Sequence, residues 1–231
     1  MAPLIKVFSD DADFQIRVCS TGQHKEMLNQ VLDFFSIQTD YNLSVMEPNQ
    51  SLSTLTYKLI QSLEPVVEDF KPDWIFVQGD TTTVLAGALV GFYRKINIAH
   101  VEAGLRSGDI HTPFPEELNR VLTGKMTSLH LAPTPRAAQN LANEGVTEGV
   151  YIVGNTVIDA MLMGLKLIKD NPSEYAQYFD RLNLHDRKVL ITCHRRESFG
   201  GPFEEICSAI QELAYRNPQV SFVYPVHLNP N

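Results

Sequence analysis

Short apolar, β-branched runs alternate along this chain with longer stretches of helical periodicity, and that alternation restricts the fold more than any other feature. The runs are FQIRVCST (14–21), DWIFVQ (73–78), NIAHVE (97–102), LHLAPT (129–134), GVYIVG (149–154), KVLITCH (188–194) and VSFVYPVH (220–227). Between them lie helical patterns. GQHKEMLNQVLDFF (22–35) sets Met27, Leu28, Val31, Leu32 and Phe35 on one side. SLSTLTYKLIQSLEPVVEDF (51–70) offers Ser51 or Ser53 as its cap and Pro65 as a bend. TTVLAGALVGFYRK, EELNRVLTGKM, PRAAQNLANEG with Gly145 just past its end, and PFEEICSAIQELAYRN complete the series. Near-continuous apolar strands alternating with amphipathic helices predict an α/β fold with parallel sheets covered on both faces. The pattern restarts after GNTVIDAMLMGLKLIKDN, through a polar stretch, NPSEYAQYFDRLNLHDR. That places a domain boundary near residues 155 to 165.

In open parallel sheets, ligands bind beyond the carboxyl ends of the strands. Ionisable groups gather at those ends here: Asp80 after WIFVQG, Glu102 after NIAHV, His194, Arg195, Arg196 and Glu197 after KVLITC, and His227 after VSFVYPV. The stretch HVEAGLRSGDIHTPFPEELNR crowds Glu102, Arg106, Asp109, Glu116, Glu117 and Arg120 into one span. Loops at the opposite edge read as ordinary solvated turns. GDTTT (79–83) has the form of a strand-to-helix turn whose threonines cap a helix and whose free backbone donors can hold an anion. In HRRES, paired guanidiniums suit oxygen anions such as phosphate. Clustered carboxylates raise one another's pKa, so that one can act as an acid beside another acting as a base. The combination points to a phosphorylated substrate whose atoms gain and lose protons.

Other classes are disfavoured. A net charge of −8 does not suit a nucleic-acid binder. No apolar run reaches the ~18 residues of a membrane span. The three cysteines and seven histidines show no metal spacing, and Cys193 reads as a core residue. Walker, G-x-G-x-x-G and H-E-x-x-H motifs do not occur, and in GLRSG an arginine replaces the nucleophilic serine. The G-x-x-x-G of GALVG (87–91) reads as close helix packing.

Taken together, GDTTT, HVEAGLRSGD, PFPEELNR, GNTVIDA, HRRESFG and YPVHLNPN resemble the bacterial non-hydrolysing UDP-N-acetylglucosamine 2-epimerases over essentially the whole chain. The resemblance implies two Rossmann-like, doubly wound domains of glycosyltransferase-B type with an active site in the cleft between them. Residues 1–158 correspond to the first domain without its first strand, and 159–231 to the start of the second. The implied reaction interconverts UDP-N-acetylglucosamine and UDP-N-acetylmannosamine without metal or nicotinamide. UDP leaves C1 as C2 loses its proton, giving 2-acetamidoglucal, and then adds back.

By motif, Asp80, Glu102, Glu116 and His194 are the catalytic candidates. Glu102 has the alternative of a structural partnership with Arg106 or Arg120. Arg195, Arg106, His227, Gln23 and His24 are the substrate-binding candidates. Gln23, His24 and His227 match a second, regulatory sugar-nucleotide site, from whose pattern Glu26 and Asn49 depart. A cytoplasmic homodimer that binds UDP-N-acetylglucosamine or UDP, and neither nucleic acid nor membrane, is expected. Family members carry a G-T-R-P-E-x-x-K loop before the point where this sequence starts and an S-G-G-x-Q-E-E segment beyond its end. The resemblance therefore implies a chain incomplete at both ends and inactive or weakly active alone. The alternatives are a nucleotide-sugar glycosyltransferase and a non-catalytic UDP-sugar-binding or dimerising fragment.

Overall fold

Val77 and Ile75 project from one side of a strand and Phe76 from the other, and each side meets a different helix layer. A computed structural model describes residues 1–22, 25–47, 49–192 and 201–225. The chain divides into two compact units, Met1–Lys166 and Leu167–Asn231, the division falling inside one helix.

The first unit begins with α1 (Ala2–Ser9), β1 (Cys19–Ser20), α2 (Lys25–Phe34), β2 (Tyr41–Asn42) and α3 (Leu52–Phe70). β3 (Trp74–Gln78), α4 (Thr82–Tyr93), β4 (Asn97–Val101), α5 (Glu116–Met126), β5 (Leu129–Ala132), α6 (Pro135–Asn143), β6 (Val150–Ile152) and α7 (Thr156–Asp170) follow. β3, β4, β5 and β6 form a parallel sheet in sequential order, and β1 pairs in parallel with β2. Sequential parallel strands joined by right-handed crossovers carry their connecting helices on one face. On that face Val84 and Ala88 of α4 pack on Val77 and Ile98. Phe8 of α1 meets Phe76 on the other face, ring centroids 5.3 Å apart. A second core joins α3 to α4 through Leu55, Leu59 and Ala86, with Val45 beside them.

The glycines of GALVG bring α4 close to the sheet, so the close packing is of helix on strand. A Cβ at Gly87 would lie 3.2 Å from Val77 Cγ1, and one at Gly91 would lie 3.1 Å from Ile98 Cγ1. Ser51 is the α3 cap, its hydroxyl accepting from the Thr54 amide at 3.1 Å. Pro65 does not end that helix. It lies on the exposed side, where water can satisfy the carbonyl that proline leaves unpaired.

The second unit contains α8 (Pro172–Asp180), β7 (Arg187–Leu190), α9 (Gly201–Arg216) and β8 (Val220–Val223), with β7 and β8 parallel. The polar stretch after residue 170, to which periodicity assigns no element, contains α8, which starts with proline at its first turn and carries an acid there. Two expectations need correction. FQIRVCST yields a two-residue strand, because only Cys19 and Ser20 find a partner, in Tyr41 and Asn42. Met27 and Val31 of α2 are exposed, while Leu28, Leu32 and Phe35 are partly covered; the helix is rotated toward that narrower stripe.

Candidate functional site

Two carboxylates leave the main sheet side by side. Gln78 is in register with Val101, so the residues following each emerge from adjacent strands at the same level. After β3 the chain turns at Gly79 into Asp80, and after β4 it continues into Glu102. A Cβ added to Gly79 would lie 3.9 Å from Glu102 Oε2. Glu102 has φ +68°, a left-handed conformation that costs a non-glycine residue about 1–3 kcal/mol and that clusters at functional sites. Its Oε1 accepts from Asn155 Nδ2 at 3.3 Å, which ties the β4 end to the segment after β6. Arg106 and Arg120 pair with other carboxylates, so the structural alternative for Glu102 does not hold.

The first turns of α5 close over Asp80. Asn119 Nδ2 donates to the Asp80 carbonyl at 2.9 Å, and Arg120 Nη2 donates to Asp80 Oδ2 at 2.5 Å. Glu116, the expected candidate, is the first residue of α5 and is partly exposed. Its neighbour Glu117 points inward and is only 2% exposed. Glu117 Oε1 accepts from the amides of Ser107 and Gly108 at 3.0 and 3.2 Å. Its Oε2 lies 3.2 Å from Arg120 Nη1. The first turns of α5 bury polar residues (Glu117, Asn119, Thr123) while Leu118 and Leu122 are exposed, the reverse of an ordinary amphipathic helix; only at its end does Met126 pack on the core of the sheet.

The polar layer continues beneath α5. His100 of β4 and His130 of β5 are register partners, 1% and 2% exposed. His100 Nε2 lies 2.7 Å from the Gly79 carbonyl. A carbonyl only accepts, so the proton sits on Nε2 and the imidazole holds the Asp80 turn. Burial pushes both imidazoles down to about 4, with nearby Arg106 adding to the effect for each.

Arg106 was expected among the substrate-binding residues, but its guanidinium is engaged elsewhere. Nε and Nη2 donate to the two Glu144 oxygens at 2.6 and 2.9 Å, and Nη1 donates to the Leu105 carbonyl at 2.7 Å. The same hydrogen bonding holds the Glu144 carboxyl below its usual range. With 9% of its side chain exposed, Arg106 braces the loop against the end of α6. Gly104 permits that closeness: at φ +84°, a Cβ there would stand 2.2 Å from the Ala137 carbonyl oxygen. In GDTTT, Thr81 occupies the N-cap position of α4 but its hydroxyl caps no backbone amide. Thr83 instead bonds the Thr21 hydroxyl at 3.0 Å.

A family model described as UDP-N-acetylglucosamine 2-epimerase matches residues 6–231. The chain belongs to the UDP-N-acetylglucosamine 2-epimerase family. It is 50% identical to the UDP-N-acetylglucosamine 2-epimerase of Yersinia pestis and 46% identical to that of Escherichia coli K12. In both comparisons all of this chain is covered, and it spans 62% of the relative's length. Its structure matches the crystal structure of UDP-GlcNAc 2-epimerase from Neisseria meningitidis bound to UDP-GlcNAc. There the TM-score is 0.92 at 44% identity, over 100% of this chain and 63% of that one. The enzyme from Methanocaldococcus jannaschii, in complex with UDP-GlcNAc and UDP, matches with a TM-score of 0.82 at 34% identity, over 97% and 62%. The Rossmann-like α/β fold of glycosyltransferase-B type is thereby shown.

Within this epimerase-family chain, Asp80 and Glu102 stand together at neighbouring strand ends, and Glu116 opens the helix that covers Asp80. Gln23, His24, His194, Arg195 and His227 lie outside the described residues, as does Cys193. Among the described residues no cluster of three or more His, Cys, Asp or Glu could hold a metal ion, and no helix is long and apolar enough to cross a membrane. Glu117, Asn119 and Asn155 were not singled out from sequence as site residues. The Glu117–Arg120 spacing of three was the available signal, since such residues share a helix face.

Proposed function

We propose that this protein acts on UDP-N-acetylglucosamine as a 2-epimerase, with Asp80, Glu102 and Glu116 supplying the proton chemistry. The observation that carries the reading is the convergence of Asp80 and Glu102 at adjacent parallel strand ends, roofed by the first turns of α5. Epimerisation at C2 requires a proton to leave one face and return on the other. Carboxylates held in different surroundings suit that exchange. Asp80 has one oxygen committed to Arg120, while Glu102 accepts from the neutral Asn155 amide. In this reading one carboxylate takes the C2 proton as UDP leaves C1, and the acetamidoglucal then accepts a proton from the opposite face before UDP returns. Arg195 and His194 belong to the diphosphate side by motif. The working form is a homodimer, and Gln23, His24 and His227 match a second nucleotide-sugar site by motif, a pattern from which Glu26 and Asn49 depart.

The test is incubation with UDP-N-acetylglucosamine in deuterium oxide without any acceptor. Deuterium at C2, or release of 2-acetamidoglucal with UDP, supports the epimerase. Sugar transfer only after an acceptor is added would instead identify a glycosyltransferase. Calorimetric binding of UDP without either reaction would identify a binding protein. Sizing chromatography checks the dimer.

A further inference from the structure

We propose that Glu117 is a positioning residue for this site, acting through Arg120 to set the orientation of the Asp80 carboxylate. The inference rests on the epimerase reading of Asp80 for its catalytic meaning, and on geometry for the linkage itself. One oxygen of Glu117 gathers two consecutive backbone amides, Ser107 and Gly108, and thereby anchors the loop that follows Glu102. The other lies against Arg120 Nη1, while Arg120 Nη2 grips Asp80 Oδ2. Asn119, on the same turns of α5, holds the Asp80 backbone. A single helical segment thus ties the β3 end to the loop after β4.

Ordinary packing does not account for this arrangement. A carboxylate with 2% exposure and a guanidinium whose side chain is 13% exposed are costly to desolvate, and apolar residues of similar volume commonly serve stability as well or better. Among the described residues, Glu117 Oε2 meets Arg120 as an ion pair and makes no hydrogen bond, and the surrounding layer is incompletely satisfied: Arg120 Nε, Thr123 Oγ1 and the Nδ1 atoms of His100 and His130 are buried without a hydrogen-bond partner. Polar groups kept at such cost next to a strand end fit a positioning role. Adjacent helix positions point about 100° apart, so Glu116 and Glu117 face different surroundings from one PEE motif.

Glu117→Gln preserves shape and an amide-accepting oxygen while removing the charge that holds Arg120. Arg120→Lys keeps the charge but loses the fork. Each variant is compared with the unsubstituted protein by deuterium exchange at C2, by its pH–rate profile, by circular dichroism and by crystallography. The expected result is a 10- to 100-fold lower kcat, KM within about threefold and a displaced pH profile in a folded protein. The Asp80 carboxylate should leave its original rotamer in the crystal. Unchanged kcat and pH profile per folded molecule, or an unmoved Asp80 and Arg120 in Glu117→Gln, would overturn the inference. If the unsubstituted protein shows no exchange, the epimerase reading fails separately; the Asp80 rotamer then still decides whether Glu117 orients it.

Discussion

Acid should unfold this protein through two imidazoles that never meet solvent. His100 and His130 are paired across β4 and β5, covered by α5, and neutral in the fold. Burial lowers each to about 4, against about 6.5 in an unfolded chain. As pH falls below 6.5 the unfolded chain takes up a proton at each position and the folded one does not. Stability is therefore fully present above 6.5, declines between 6.5 and 4, and levels off below. At pH 5 the loss is about 2 kcal/mol for each imidazole, from the ratio of their binding polynomials. The pair together accounts for about 3–4 kcal/mol, somewhat less than a strict sum because His130 feels the charge of His100. That is a large share of the roughly 5–15 kcal/mol that holds a typical domain together.

Urea titrations at pH 8, 6.5, 5.5 and 5, followed by fluorescence of the single tryptophan, Trp74 of β3, would measure it. The double variant His100→Gln, His130→Gln should keep less than about 1 kcal/mol of the decline between pH 8 and 5. The glutamine amide that replaces the His100 ring can still donate to the Gly79 carbonyl. A decline of equal size in the double variant would refute the reasoning and move the cause to other groups.

Three further outcomes are expected. Gly104→Ala should cost more than about 3 kcal/mol, since its methyl would strike the Ala137 carbonyl at an already left-handed φ; urea midpoints measure this. Arg106→Ala and Glu144→Ala should each destabilise by roughly 3 kcal/mol, with the double variant losing much less than the sum, as a double-mutant cycle reports. Asp80→Asn, Glu102→Gln and Glu116→Gln should each lower C2 exchange about 100- to 10,000-fold with little change in KM, read by mass spectrometry of the recovered sugar nucleotide.

The alternation of strands and helices was legible because it follows from burial. A parallel strand covered on both faces must be apolar nearly throughout, as WIFVQ and NIAHV are, and the helix expected around EELNRVLTGKM is α5. Asp80 and Glu102 were equally legible, since a carboxylate directly after such a run marks the end of the strand. Short elements escaped. Periodicity needs several turns to register, so α1 and α8 were not recognised, and the extent of β1 depended on a partner distant in the sequence.

By itself, then, the sequence determined the order of the longer elements and the acids at the strand ends, through local hydrophobic period. Only the tertiary structure decided which way α5 turns. Its leucines would face inward on periodicity alone. Instead Glu117 and Asn119 are inside, because the amides of Ser107 and Gly108, the Asp80 carbonyl and Arg120 give them partners there. Arg106 shows the same thing: a guanidinium free in sequence to meet a phosphate is held in the fold by Glu144, thirty-eight residues away.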